Sequence, residues 1–409
     1  MTHLLASRLP IRTPGPAANG SPPGAGPAST NPDASSSERR AQRKGVESAE
    51  PGRDRPPSPD QAPASARLTP DDPIQEPPVL SVVIPTYNGR ALLATCLARL
   101  DQHRPTQIPL EVIVADDAST DGTPDWVESA FPWVRLVRLS VNGGFCAAAN
   151  AGIAVARGRF IQLLNNDAEV TAGWAEAGLR PFADPTVGSV APLVLIRSDP
   201  TRVDSAGDGY AWFGWPFKRG HGEPAAHWEN QSPGDVLGAS GSSAFYRAEA
   251  LRRVGGFDET FGAYYEDIDL ALRLRWAGYR CRFEPSCRIL HDVSATYDHG
   301  SPQLQRLMAR NAELIFWRDL PPGWIAAALL PHLAFTAAQA LHRLFEGRCR
   351  PFLQGKRDAL GELWRRRQMP PPRPTAIARP HFPITVDPRR ALRNHLRRPR
   401  GPVQPSNRG

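Results

Sequence analysis

From Val79 onward the chain alternates two hydrophobic periods. "VLSVVIPTYN" (79–88) is an apolar run ending in a turn, and "RALLATCLARL" (90–100) places Leu92, Cys96, Leu97 and Leu100 on one helical face. "LEVIVADD" (110–117) is a second apolar run. "STDGTPDWVES" (119–129) then supplies a turn and a helix start, with Thr123 as N-cap and Pro124 at the first helical position. "VRLVRLS" and "RFIQLL" read as third and fourth strands, separated by "VNGGFCAAANAGIAVARG", a glycine turn followed by an Ala-rich helix. Strand and helix repeated in this way predict the α/β class, a mostly parallel, Rossmann-like sheet covered by helices on both faces.

Beyond about residue 195 the pattern weakens. "DSAGDGYAWFGWPFKRGHGEP" (204–224) reads as loops or a hairpin without a strong period. Order returns at "VLGASGSSAFYRAEALRRVGGFDETF", then in the helical "EDIDLALRLRWAGY" and the strand-like "RCRFEPSCRILHD". The folded domain is expected to span 79–320. Residues 1–78 are dominated by Pro, Gly, Ser, Ala and charge, with too few large apolar side chains to offset the entropy of ordering, so they predict a disordered leader. The opening "MTHLLASRLPIRT" lacks the continuous apolar region of a secretion signal. Residues 321–368 predict a helical extension, and 369–409 a basic disordered tail.

Composition changes this picture only modestly. The 41% hydrophobic content of the 409 residues suffices for a substantial core. The five cysteines are odd in number and form no Cys-x-x-Cys, which argues against a disulfide framework or structural zinc and fits a reducing compartment. The net charge of +8 sits largely in "ERRAQRKG", "WRRRQ" and "RRALRNHLRRPRG". No base-reading motif accompanies those runs, so the expected partner is an anionic membrane surface and not nucleic acid.

Three acids stand where chemistry is expected. Ligands of such sheets bind at the carboxyl ends of the strands, and Asp116, Asp117 and Asp167 each follow the last apolar residue of a predicted strand. A hard divalent cation needs only one or two protein oxygens when substrate phosphates supply the rest, so Asp167 alone could suffice. The alternative for Asn165, Asn166 and Asp167 is an Asx turn capping a helix near Thr171.

The stretches "SVVIPTYNG", "IVADDASTDGT", "NGGFCAAANAGI", "LLNNDAEV", "GASGSSAFYRAEALRRVGGFDETF" and "YYEDIDLALRLRWAGY", in that order, resemble the family 2 glycosyltransferases of the GT-A fold, and among them the rhamnosyltransferase-like branch. The resemblance implies that Asp116 reads the nucleotide base above a wall of Pro85, Thr86 and Tyr87. Asp117 either contacts the nucleotide or caps the "STDGT" turn. Asn142, Gly143 and Gly144 match a turn near the donor, followed by Asn150 on its helix. Asn165 and Asn166 lead to Asp167, the metal-binding last acid of the family's signature, whose first acid is here replaced by Asn165. Glu266 and Asp267 match the pair that includes the general base, Asp267. Independently, their place at a helix start predicts that the dipole keeps a carboxylate ionised. Gly238, Ala239, Arg273 and Trp276 match the acceptor or diphosphate side, with one of Arg273 and Arg275 left to solvent. His291 either approaches the metal and diphosphate or is structural.

Other classes fit less well. The first strand ends in "PTYNG" and not in the glycine fingerprint of nicotinamide enzymes, and no phosphate-cradling Gly-x-x-x-x-Gly-Lys-Ser/Thr is present. A non-catalytic nucleotide-sugar-binding or membrane scaffold protein remains the alternative, though it would have lost Asp167 or Asp267. The expectation is therefore an inverting transferase using Mg²⁺ or Mn²⁺, with a nucleotide-sugar donor, dTDP-rhamnose first among them, and a glycan or lipid-linked acceptor. It is expected in the cytoplasm, peripheral on the inner face of the cell membrane. "PPGWIAAALLPHLAFTAAQALHRLFEGRCRPF" (321–352) approaches the ~20 residues of a spanning helix but is interrupted by Pro331, His332 and Gln339. An interfacial helix pair, a single span and docking on the domain all remain open.

Overall fold

The opening apolar runs become strands because each is short, rich in β-branched residues and bounded by turn-formers. The computed structural model describes residues 78–293 and 301–366. Its first half comprises β1 (Leu80–Thr86), α1 (Arg90–Gln102), β2 (Leu110–Asp116), α2 (Thr123–Ala130), β3 (Val134–Arg138), α3 (Phe145–Val155) and β4 (Phe160–Leu164). These four strands lie parallel in the order β3-β2-β1-β4, and the register pairs Thr86 with Asp116. The carboxyl ends of β1, β2 and β4 are thus brought to one edge.

Both faces are covered, as the pattern predicts. Val82, Ile84, Val112 and Val114 point to the side packed by Leu93, Cys96, Leu97 and Leu100 of α1, whereas Val83 and Ile113 point to the side packed by Cys146 and Ala149 of α3. The alternation follows from the two-residue period of a strand, and each such fully buried side chain contributes about 1.5–3 kcal/mol. On α1 the buried stripe runs through Leu93, with Leu92 only half-buried, one position from the expected face. Thr123 opens α2 as its first residue, Gly122 takes the cap position, and Asp121 Oδ1 accepts from both the Thr123 backbone and hydroxyl.

After β4 the sheet becomes mixed. The following elements are β5 (Ala168–Val170), α4 (Trp174–Leu179), β6 (Val187–Ile196), β7 (Asp199–Ser205), β8 (Asp208–Ala211), β9 (Trp215–Lys218), α5 (Ala225–Glu229) and β10 (Gly234–Val236). Then come β11 (Ser243–Arg247), α6 (Ala248–Val254), α7 (Glu266–Trp276), β12 (Arg280–His291), α8 (Pro302–Asp319), α9 (Pro322–Phe345) and α10 (Cys349–Arg366). The sheet continues from β4 through an antiparallel β11 to β6, β12 and β10, while β8 and β9 form the separate hairpin. The sequence pattern did not announce β6, which is interrupted by Pro192. The strand survives because Pro192 pairs opposite Glu284, where β12 carries an irregularity in register.

The C-terminal helices pack on this domain. His332 of α9 is buried, lies 3.0 Å from both Glu313 Oε1 and the Phe213 carbonyl, and stacks on Phe316 at 3.7 Å. Lys356 of α10 pairs with the other Glu313 oxygen. Although α9 is long and apolar enough to cross a membrane by length and composition, its His332 side is held by the domain; Leu330, Leu333, Leu341, Leu344 and Phe345 are exposed. The expected leader and basic tail lie outside the described residues.

Candidate active site

The site begins where the parallel strands end. Asp116, the last residue of β2, is buried; the Ser119 amide donates to its Oδ2 at 2.9 Å, while Oδ1 has no hydrogen-bond partner. A buried carboxylate oxygen left open is costly unless a ligand completes it, which is what a base-reading role requires. Pro85 and Thr86 are buried beside it, and Tyr87 is exposed. Asn166 Nδ2 donates to Thr86 Oγ1 at 2.9 Å, which stitches the end of β4 to that of β1.

Asp117 does something else. Its two oxygens accept from the Gly143 and Gly144 amides at 2.7 and 2.8 Å, so it is the clamp of the Asn142–Gly144 turn and not a cap of the "STDGT" turn. Gly144 has φ +84°, a conformation that favours glycine, and it sets the start of α3. Asn150 is likewise consumed within the fold: it bonds the Phe257 carbonyl and amide at 2.9 Å each and Glu259 at 3.1 Å, tying α3 to the loop before α7.

At the end of β4, Asn165 and Asn166 precede β5, so this segment is a strand connection and not the cap of a helix near Thr171; α4 starts at Trp174 after Gly173. Asp167 is buried, and Asn165 Oδ1 and Asp167 Oδ1 lack hydrogen-bond partners. His291 Nε2 lies 3.2 Å from Asp167 Oδ1, and His291 Nδ1 lies 3.0 Å from Asp204 Oδ2. Burial works against an imidazolium, but the contacts and charges of the two carboxylates outweigh it and raise His291 to about 9. Among the described residues no three His, Cys, Asp or Glu side chains form a preformed metal cage. Asp167 with His291 fits a hard cation that takes its remaining ligands from phosphate oxygens and water.

The loop leading into β11 joins this edge to the second acidic group. The Ser242 carbonyl accepts from the Asn165 amide at 3.0 Å, and the Gly241 amide donates to Asp267 Oδ2 at 2.9 Å. A Cβ on Gly241 would meet Glu266 Oε1 at 3.2 Å, so glycine lets the loop lie against the pair. Glu266 is buried with Oε2 unpartnered. Burial first, and the Asp267 charge second, push it well above the usual carboxylate range. Burial raises Asp267 too, opposed by the Gly241 and Ile268 amides and by Lys218. Desolvation therefore outweighs the helix dipole expected to keep the pair ionised. Of the two, Asp267 is the more exposed and the better supplied with donors.

The turn that delivers this pair is strained. Tyr264 and Tyr265 have φ +67° and +68°, unusual for aromatic residues. Asn311 of α8 holds the turn, its Nδ2 lying 2.9, 3.0 and 2.9 Å from the carbonyls of Phe261, Ala263 and Tyr264. Four residues expected on the acceptor side are engaged within the fold. Arg273 bonds Asp269 and the carbonyls of Val254 and Gly256, and Trp276 Nε1 donates to the Asp319 carbonyl at 2.9 Å. Gly238 accommodates α7, since a Cβ there would lie 2.4 Å from that of Ala271. Ala239, also expected there, is buried in the core. Arg275 is buried against the Val236 carbonyl and is not left to solvent.

A second polar group was missed from sequence. Asp204, fully buried at the end of β7, takes Lys218 Nζ at 3.0 Å, His291 Nδ1 at 3.0 Å and His221 Nδ1 at 3.3 Å. Burial disfavours its charge, yet Lys218 and the two histidines hold it well below the usual range. Asp208 stands opposite Lys218 in the hairpin register; burial, then the Asp267 charge, push it well above. Only the local "DSAGDG" marks these acids, and nothing there signals their partners.

Asp116 with an open oxygen, Asp167 beside His291 and a carboxylate pair at a helix start are thus gathered at the carboxyl edge of a half-parallel sheet. Residues 81–255 match glycosyl transferase family 2. An N-acetylglucosaminyl-diphospho-decaprenol L-rhamnosyltransferase of Mycobacterium tuberculosis (strain CDC 1551 / Oshkosh) is 31% identical over 277 residues, covering 61% of this chain and 88% of the relative. The chain belongs to that family and is a glycosyltransferase. A pre-mycofactocin glycosyltransferase of the same organism is 32% identical over 216 residues, 52% of this chain and 42% of its own. Among solved structures, a mannosyltransferase from Pyrobaculum calidifontis in complex with GDP-Man and Mn²⁺ is 22% identical, with a TM-score of 0.46 over 70% of this chain and 88% of that one.

Proposed function

We propose that the chain transfers a sugar, with L-rhamnose on dTDP as the first candidate, from a nucleoside diphosphate to a hydroxyl of a lipid-linked glycan, with inversion at the anomeric carbon. The observation that carries this reading is the gathering at one sheet edge of Asp116, with an open carboxylate oxygen, and Asp167, faced by His291, with the Glu266–Asp267 pair, joined through the Gly241–Ser242 loop. The rhamnosyltransferase relative, whose name gives an N-acetylglucosaminyl-diphospho-decaprenol acceptor, supports the transferred sugar and the lipid carrier.

Asp116 orients the nucleotide by accepting from its base. Asp267 accepts the proton of the acceptor hydroxyl as its oxygen bonds to the anomeric carbon from the face opposite the diphosphate, whose bond to that carbon breaks. Glu266, pushed well above the usual carboxylate range by burial and the Asp267 charge, orients that hydroxyl. Asp167 and His291 would hold Mg²⁺ or Mn²⁺, which when bound neutralises charge on the departing diphosphate. The exposed apolar residues of α9, with Leu353, Leu360 and Trp364 of α10 and the exposed Arg348, Arg350 and Arg357, fit an anionic bilayer surface on the cytoplasmic side where such a carrier is presented.

Thermal shifts against a panel of nucleotide sugars with Mg²⁺ or Mn²⁺ test the reading, because a donor that binds only the folded state must raise Tm. A metal-dependent rise with dTDP-rhamnose is expected. A rise confined to another nucleotide sugar overturns the donor, and no rise with any of them overturns the function.

A further inference from the structure

Among the described residues, Asp204 is the fully buried acid that gathers three cationic or histidine partners, and one of them is the histidine beside Asp167. We propose that Asp204 is a positioning residue that presents His291 Nε2 to a divalent cation shared with Asp167. The inference rests on the metal reading above and assigns a role to residues outside the family-like motifs.

The geometry carries it. An imidazole has one nitrogen on each side, and here each side faces a different carboxylate: Nδ1 lies 3.0 Å from Asp204 Oδ2 and Nε2 lies 3.2 Å from Asp167 Oδ1. Both carboxylates can only accept, so a cation bound at Asp167 would take the Nε2 lone pair and leave the ring hydrogen on Nδ1, where Asp204 accepts it. A carboxylate behind a ligating histidine fixes both the tautomer and the ring plane.

Asp204 is itself fixed. Lys218 Nζ lies 3.0 Å from each of its oxygens, which anchors the carboxylate to the base of the β8–β9 hairpin and gives it a counter-charge. The chain runs Asp167, His291, Asp204, Lys218 without a gap. With Asn165 in place of the first acid of the metal signature, His291 would be the second side-chain ligand beside Asp167.

The test uses the full chain with Mn²⁺ and inorganic pyrophosphate. Pulsed electron paramagnetic resonance should detect directly bound imidazole nitrogen in the unsubstituted protein and lose it in His291→Ala. Asp204→Asn, whose amide can turn to donate and so reverse the tautomer, should weaken Mn²⁺ binding by roughly 10–100-fold and diminish the nitrogen coupling, with Mn²⁺-free Tm recorded alongside. Unchanged affinity and coupling in a folded Asp204→Asn overturn the positioning role. Absence of any Mn²⁺ binding overturns the metal reading, whereas Mn²⁺ binding without nitrogen coupling overturns only the part given to His291. Histidine-selective ¹⁵N spectra of the unsubstituted chain with Mg²⁺ and pyrophosphate need no variant: the Nδ1–H tautomer of His291 is expected, and the Nε2–H tautomer overturns the proposal.

Discussion

The two halves of the sheet handle charge differently. On the parallel side, Asp116 and Asn165 sit at strand ends with an oxygen left open, and Asp167 just beyond faces His291. On the mixed side, Asp204 is spent on Lys218 and two histidines, and Asp269 on Arg273 one turn along its own helix and on the distant Arg318. The first arrangement leaves groups waiting for a ligand, and the second uses charge to hold a ligand-facing frame in place. Glu266 and Asp267 belong to both, since they are delivered by the framed side and left incompletely satisfied.

The largest effect should come from the open side. Asp167→Ala should abolish metal-dependent transfer while leaving Tm within a few degrees, because the residue ends a strand and fills no core position; wild-type turnover at saturating Mn²⁺ would reduce it to a turn residue. Next, Asp267→Asn should lower single-turnover transfer by roughly 10²–10⁴-fold with donor binding nearly unchanged, the usual contribution of a positioned base. Glu266→Gln should cost less, and a loss confined to that variant would move the base one residue back.

Acidity sharpens the contrast. A base must be ionised, and burial raises Asp267, so transfer should fall as pH drops through a value above the usual ~4 of a carboxylate, about tenfold per unit below it. A limb at or below pH 4 would show that the pair is not desolvated.

Smaller still is the effect expected at the membrane face. Leu341, Leu344 and Phe345 replaced together by Ser should reduce partition onto anionic vesicles by tenfold or more, since each apolar side chain withdrawn from water is worth about 1.5–3 kcal/mol. Unchanged partition would remove α9 as the contact. The smallest catalytic change should follow Asn150→Ala, which breaks bonds to Phe257 and Glu259 and should lower Tm yet leave the donor KM unaltered. A raised KM with unchanged Tm would return Asn150 to the donor site.

What the sequence determined by itself was local. Periodicity located β1–β4 and the helices between them, because a strand buried on both faces and an amphipathic helix leave their period in a few neighbouring residues. The acids at the ends of those strands were legible for the same reason. The partners of Arg273, Trp276, Asn150 and Asp117 were not legible, because motif position shows where a side chain starts and not which carbonyl or amide elsewhere in the chain will bond it. β6, Asp204, Lys218 and the pinning of His332 were decided only by tertiary structure. A buried charge is tolerated where distant segments bring it a partner, and that pairing across β7, β9 and β12 has no period for the sequence to carry.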